Sequence, residues 1–445
     1  MTDSEHRRSL FRRLLSRTLG YGRHLVKRLP ERRARREALS AFRQAAETPG
    51  TEGTVPTLLA FYLPQFHPIP ENDEWWGPGF SEWTNVASAR PQFRGHVQPS
   101  LPADLGFYDL RLSETRRDQA ELARQYGIGG FCYWHYWFNG RRLLERPFDE
   151  VLASGEPNFP FCLSWANESW TRTWLGAGEV LMEQTYSAAD DKAHASWLAQ
   201  TFADHRYIRI DGRPLFLLYR PTAHPELGRF ASELRTASLR SGAGDPLILG
   251  MNGWSPYTDA TELGLDGTVD FQPQFGDLSG VRHSGLSLSK VLRNIRTGRP
   301  TAAVTVWDYR EAHREMLGRR AALGFRTVPT VLVGWDNTPR RGSRAVVLTD
   351  NDAGYFGRAV AAEMHAVASD PGALPLVFIN AWNEWAEGNH LEPGVPKGRA
   401  HLQALKDARR VVSSSLGKAA PMGSSEPASP IAAGGRADEG PLHTR

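Results

Sequence analysis

Two glutamates three residues apart, Glu384 and Glu387, follow the apolar run Leu374 to Ile379, with Trp382 and Trp385 interleaved and Asn383 and Gly388 alongside. Paired carboxyls among aromatic rings have the chemistry that breaking or remaking a glycosidic bond requires. One protonates the leaving oxygen, the other acts as base or nucleophile, and flat rings stack on the apolar faces of sugars. A lone glutamate at such a place more often caps the following helix, where negative charge suits the dipole. The company of Asn383, both indoles and Gly388 favours chemistry.

Those acids need a scaffold, and the hydrophobic pattern supplies one. Short apolar runs suited to strands buried on both faces occur at Thr57–Leu63, Ile128–Tyr133, Pro160–Trp165, Pro214–Tyr219, Leu247–Met251, Gly267–Gln272, Val328–Val333 and Pro375–Ala381. Helical periodicity falls between them, at Leu112–Tyr126, Ala188–Arg206, Pro225–Ser241, His283–Arg296, Tyr309–Leu323 and Ala353–Ser369, and His401–Ser414 follows the last strand. Alternating strands and helices in this number predict an α/β fold, a single (β/α)8 TIM barrel. An open doubly wound sheet is the competing architecture. It wants a Gly-rich phosphate turn after the first strand, where this chain has Pro-Gln-Phe-His-Pro.

A barrel builds its site where the strands end. The predicted ends deliver Tyr62, Gln65 and His67; Trp134, His135 and Tyr136; Trp165, Asn167 and Glu168; Tyr219; Asn252; Gln272; Trp335; and finally Asn383 and Trp385 beside the two acids. Aromatic rings with amides fit an uncharged polyhydroxylated ligand, so these residues are the candidate substrate-binding set around catalytic Glu384 and Glu387. His67 and His135 lack carboxylate or histidine partners at metal-ligand spacing, so hydrogen bonding to sugar is the better expectation and no metal or cofactor is called for. Glu168 is either a third acid or a partner for an arginine such as Arg172. Asp336 with Arg340 and Arg341 reads either as a binding site for an acidic group or as a loop ion pair. The long first connection, Pro68 to Asp109, holds Trp75, Trp76, Phe80, Glu82, Trp83, Phe93 and Phe107 and reads as covering part of a sugar groove or as packing on itself over the barrel mouth, both readings open for different residues.

Composition bounds the rest. The 445 residues suffice for a large core, and no apolar run approaches the ~20 residues needed to span a bilayer. Cys132 and Cys162, each in a predicted buried strand, make neither a disulfide framework nor a metal cluster. They and the absence of a signal-peptide pattern predict a cytoplasmic protein. The net charge of +4 is unevenly spread: residues 1–44 hold thirteen basic and four acidic residues, a net +9, so the remainder is mildly acidic and nucleic acid is not the expected partner. Within that arm Leu10, Phe11, Leu14, Leu15, Leu19, Leu25, Val26 and Leu29 recur at roughly helical spacing, which reads either as an element docking on an anionic membrane surface or as a solvated tail. The expected organisation is a basic arm and linker over 1–52, a catalytic barrel over 53–415, and a Ser-, Ala-, Gly- and Pro-rich disordered tail over 416–445.

The strings FYLPQFH, GFCYWHYWF, LSWANESWTR, WDNTPRR and NAWNEWAEG together resemble the WbsX-type family of glycosyltransferases from bacterial surface-polysaccharide (O-antigen, capsule) clusters, related to glycoside hydrolase family 99, the endo-α-mannosidases and endo-mannanases. The similarity runs over about residues 57–412 and leaves out both tails. It implies a metal-free barrel enzyme acting on an α-mannoside-like bond with retention. Glu384 would deprotonate the sugar 2-hydroxyl, which attacks C1 to give an anhydrosugar, and Glu387 would be the general acid and then base, with a raised pKa. Ala386 stands where the hydrolases often have His. Two other functions compete: a nucleotide-sugar-dependent transferase, against which stand the lack of Asp-x-Asp and of a Gly-rich phosphate cradle, and a non-catalytic glycan-binding barrel, which the presence of both glutamates disfavours.

Overall fold

The structure, a computed structural model, describes residues 54–172, 179–253, 257–280 and 304–417. The basic arm, the predicted helix His283–Arg296 and the tail from residue 418 lie outside the described residues.

Eight parallel strands close on themselves: β1 (Thr57–Tyr62), β2 (Gly130–Phe138), β3 (Phe161–Trp165), β4 (Arg213–Leu218), β5 (Leu247–Met251), β6 (Gly267–Asp270), β7 (Thr327–Leu332) and β8 (Leu376–Asn380). Closure is made by β1, which pairs with β2 (Phe61 opposite Cys132) and with β8 (Ala60 opposite Ile379). Such strands have helices outside and side chains inside, so both faces are apolar and no polar/apolar alternation appears. Phe61 marks the centre of the barrel. Its ring stacks on Trp134 (5.3 Å) and Phe378 (5.0 Å) and meets the edge of Phe271 (5.3 Å). Cys132 and Cys162 lie opposite each other on β2 and β3 as free, buried thiols.

The first connection carries α1 (Pro70–Trp76), α2 (Glu82–Ser88) and α3 (Ser113–Tyr126); α4 (Arg146–Ser154) follows β2, α5 (Ala188–Phe202) follows β3, and α6 (Leu227–Arg240) follows β4. Between β5 and β6 the described connection has only a short 3-10 turn, Ala260–Leu263. Then come α7 (Tyr309–Ala321) before β7, α8 (Thr338–Arg341) and α9 (Ala353–Ala368) before β8, and α10 (Ala400–Gly417). Helix starts follow side-chain chemistry: Ser187, Asp308 and Asp352 each accept from the backbone N–H three residues on, at 3.1, 2.8 and 2.7 Å. No described helix is long and apolar enough to cross a membrane.

Three features bear on the mouth. β2 runs beyond the predicted Tyr133 to Phe138 and turns back through Arg141–Leu143, so Trp134 to Phe138 project as a hairpin rather than a loop. The first connection is packed down by Trp83, whose indole N–H donates to the Tyr108 carbonyl (2.8 Å) and whose ring meets Phe66 and Trp385. The chain after β8 folds into a small antiparallel pair, Asn383–Glu384 against Asn389–His390, with a tight turn over Trp385–Glu387.

Candidate active site

The turn after β8 is held from below. Asn383 is fully buried and its side chain imitates a strand: Oδ1 accepts from Leu63 N–H (2.7 Å) and Nδ2 donates to Leu63 O (3.0 Å), continuing the β1–β8 pairing past the strand ends. Trp385, also buried, donates its indole N–H to Glu392 (2.6 Å) and stacks on His390 (centroids 3.7 Å apart). Glu392 further accepts from Tyr108 O–H (2.8 Å) and Gln119 Nε2 (2.6 Å), and Tyr62 O–H donates to Gln119 (2.7 Å). Burial pushes the Glu392 carboxyl up to about 7, against those hydrogen bonds. Tyr62, Asn383 and Trp385, all expected to touch substrate, thus spend their polar atoms positioning the turn. Trp382 is buried too, so neither indole beside the glutamates presents a face to solvent.

The turn has a second anchor. Asp336, just past β7, donates its backbone N–H to the Glu387 carbonyl (2.6 Å). Its carboxylate takes His96 Nε2 (2.7 Å) and Gln98 Nε2 (2.6 Å) from the first connection, and the N–H (3.0 Å) and hydroxyl (2.6 Å) of Thr338 at the start of α8. Because Gln92 N–H donates to His96 Nδ1, the Nε2 of that ring carries the hydrogen. Asp336 is therefore the post that orients α8, not half of an anion site with Arg340.

Arg340, on α8, enters the mouth and meets three carboxylates. Its Nη1 donates to Glu387 (2.6 Å), its Nη2 to Glu384 (3.2 Å), and its Nε and Nη2 edge to Glu82 of α2 (3.1 to 3.2 Å). One planar fork thus joins the connections after β1, β7 and β8. Burial raises the Glu384 carboxyl to about 8, with Arg340 opposing and Glu387 and Glu82 adding to the rise; burial raises Glu387 as well. Burial lowers the Arg340 guanidinium's affinity for its proton, but the three carboxylates outweigh it and hold the charge firmly. The two glutamates keep some exposure, with side chains 10% and 14% accessible, whereas Glu82 is at 3%.

Around this centre the other predicted residues divide. Tyr136 and Tyr219 face it: burial raises both phenols, and Glu384 bears on Tyr136 while Glu168 and Glu387 bear on Tyr219. Trp134 lies beneath, edge-on to Tyr219 at 5.1 Å. Glu168 joins the rim, paired with Arg220 (2.7 Å) and not with Arg172, which instead meets Glu179 at 3.5 Å; burial raises the Glu168 carboxyl despite Arg220. Half-buried Trp170 stands between Tyr136 (5.1 Å) and Trp75 of α1 (5.8 Å), offering aromatic surface at that side of the mouth. Gln65 is partly exposed, and its carbonyl accepts the Glu82 N–H (3.0 Å), tying α2 to the end of β1.

The remaining residues are set in the walls. His135 is buried, shares a 3.0 Å contact with His194 and stacks on Trp197; burial drives it well below its ordinary value, hence neutral. Asn167 clamps β3 to β4 through the N–H (2.7 Å) and O (2.9 Å) of Arg220, and Trp165 donates to the Trp137 carbonyl (3.2 Å). Gln272 donates to Asp270 (2.9 Å), Asn252 and Trp335 are buried at the ends of β5 and β7, and His67 is buried after β1 with its pKa lowered to about 4 by burial. The partnership of Glu82, Arg340 and the pair could not be seen in the sequence. Its only trace was an acid among the aromatics of the first connection and an arginine in WDNTPRR.

One solved structure shares this architecture. A solved glycoside hydrolase-like protein superposes with a TM-score of 0.50 at 15% identity, covering 80% of this chain and 95% of its own. The endo-α-mannosidase of family GH99 from Bacteroides thetaiotaomicron covers 81% of this chain and 98% of its own at 16% identity, with a TM-score of 0.46. The uncharacterized protein WxcX of Xanthomonas campestris pv. campestris (strain B100) is 41% identical over 392 residues, as is that of strain ATCC 33913. Those residues are 87% of this chain but 54% of each relative, so the chain spans about half the length of the curated relatives it matches. A family described as glycosyltransferase WbsX matches residues 58–405, most of the barrel. The chain belongs to the WbsX glycosyltransferase family.

Proposed function

We propose that this barrel is a carbohydrate-active enzyme that breaks or remakes an α-mannoside-like glycosidic bond of a bacterial surface glycan, using Glu384 and Glu387. The observation that carries the reading is two partly accessible carboxyls sharing one guanidinium of similar exposure, both carboxyls with raised pKa values, at the C-terminal mouth of the barrel. Burial of such a pair favours a retained proton, and a carboxyl that keeps its proton is what donation to a leaving oxygen needs. Tyr136, Tyr219, Trp134 and Trp170 supply rings and hydroxyls of the kind sugars bind.

The resemblance to family 99 makes Glu384 the base toward the 2-hydroxyl and Glu387 the acid. The shorter contact of Arg340 to Glu387 leaves the resting proton on Glu384, so the division of labour is itself a target of experiment. The family's description favours a sugar acceptor over water. Incubation with defined α-mannosyl oligosaccharides, with and without GDP-mannose, followed by proton NMR, tests the reading. Turnover with retained configuration is expected without the nucleotide, and Glu384→Gln and Glu387→Gln should each lose roughly 10²–10⁴-fold. Turnover only with GDP-mannose, or near-normal rates in either variant, sinks the two-glutamate mechanism. The pH profiles of the two variants identify the acid.

A further inference from the structure

We propose that Glu82 is a positioning residue that shares Arg340 with Glu384 and Glu387 and so limits how much positive charge the pair receives. The inference rests on the reading of that pair as the reactive groups and deepens it.

Three of the five contacts that Arg340 makes with carboxylates go to Glu82: Nε to both oxygens (3.1 and 3.2 Å) and Nη2 to one (3.1 Å). The fork's side edge is therefore committed to α2, leaving Nη1 for Glu387 and a longer, shared bond from Nη2 to Glu384. Glu82 is itself fixed, by Asn85 Nδ2 (3.1 Å) and by its own N–H on the Gln65 carbonyl. With every group ionised, three acids around one cation would leave a net −2 in a nearly closed place, so the cheapest remedy is retained protons. A site with Arg340 serving only Glu384 and Glu387 would hold its protons less tightly. Glu82 thus draws the guanidinium away from the pair and adds its own negative field, two effects of one sign.

Other titratable groups among the described residues face this unit. Tyr136 comes from β2; Glu168, Tyr219 and Arg220 come from the ends of β3 and β4; Arg341, next to Arg340, acts on Glu387. Arg340 meets Glu82 directly, and among the described residues Arg220 and Arg341 bring further positive charge; Arg220 is engaged by Glu168.

The test uses full-length protein labelled with ¹³C at the glutamate side-chain carboxyls, with Glu384 and Glu387 assigned from their Gln variants, so it needs no substrate. Glu82→Gln should move the titrations of the pair toward acid by about one pH unit, and Arg340→Gln should move them the opposite way by at least as much. Arg340→Lys, which keeps the charge without the fork, should fall between wild type and Arg340→Gln, and carries the sign test if the glutamine variant does not fold. Titrations unmoved in Glu82→Gln, or moved toward alkali, overturn the proposal and leave Glu82 as mere packing, which thermal melts of the same samples would register. If instead the titrations move as expected while Glu384→Gln and Glu387→Gln retain glycan turnover, the mechanism has failed and this inference has not.

Discussion

The backbone N–H of Asp336 donates to the carbonyl of Glu387 at 2.6 Å, so the connection after β7 and the turn after β8 are a single piece at the barrel mouth. Gly388, the next residue, has φ +58°, and a Cβ there would stand 2.9 Å from Asp336 N and 2.8 Å from its Cβ. Both the backbone conformation and the contact demand glycine.

Gly388→Ala is therefore expected to cost about 1–3 kcal/mol from the strained backbone and to push Glu387 off its bond to Arg340. Chemical denaturation reads the first effect, and the chemical step should fall more than substrate binding. A variant of wild-type stability and rate contradicts the contact.

Asn383 lies within the conspicuous string yet is consumed by the backbone of Leu63. Asn383→Leu leaves a buried N–H and a buried carbonyl unpaired, which should destabilise the fold by roughly 2–4 kcal/mol. A role in sugar binding would instead raise KM with little change in the denaturation midpoint.

For Asp336, burial works to raise the carboxyl, but hydrogen bonds from His96, Thr338 and Gln98 hold it below the usual carboxylate range. A depressed folded value means that its stabilisation is fully present above the unfolded pKa of about 3.9 and is lost as pH falls through the lower folded value. Asp336→Asn turns an amide N–H₂ toward donors, should cost about 1–3 kcal/mol near neutrality, and should flatten the acid limb of stability against pH. Stability measured by denaturant across pH 2 to 6 shows whether wild type and variant converge at the acid end.

Glu392 has the opposite sign. Burial lifts it to about 7, so its contribution is fully present below the unfolded value of about 4.3 and fades as pH rises through 7. Glu392→Gln loses an acceptor for Trp385, Tyr108 or Gln119 at every pH but does not titrate. The stability gap between wild type and variant should thus narrow between pH 4.3 and 7; a gap that widens with pH contradicts the placement.

Much of the barrel was readable in the chain because a strand buried on both faces must be apolar along its whole length. The eight runs match β1 to β8 closely, most strands differing from their runs by one or two residues at either end, and described helices lie at the predicted segments other than His283–Arg296, which is outside the described residues. The exception is β2, whose extension to Phe138 is a hairpin made with Arg141–Leu143, a pairing that no local pattern announces. The position of Glu384 and Glu387 just past the last strand was legible as well, since the apolar run stops shortly before them.

Which side chains face the barrel mouth was decided elsewhere. Aromatic and amide residues at strand ends look alike in sequence whether they line the mouth, as Tyr136 and Tyr219 do, or are spent beneath it, as Asn383, Trp385 and Asn167 are. Residue type sets what a group can bond to; only three-dimensional neighbours set what it does bond to. The chain's own pattern was enough for the barrel, its family and the place of the two acids after the last strand, because burial pattern and residue chemistry are local properties. Tertiary structure alone decided that Arg340 serves three carboxylates and that one of them, Glu82, stands 302 residues before Glu384 in the chain, because charge balance in a buried site depends on distances that no spacing along the chain encodes.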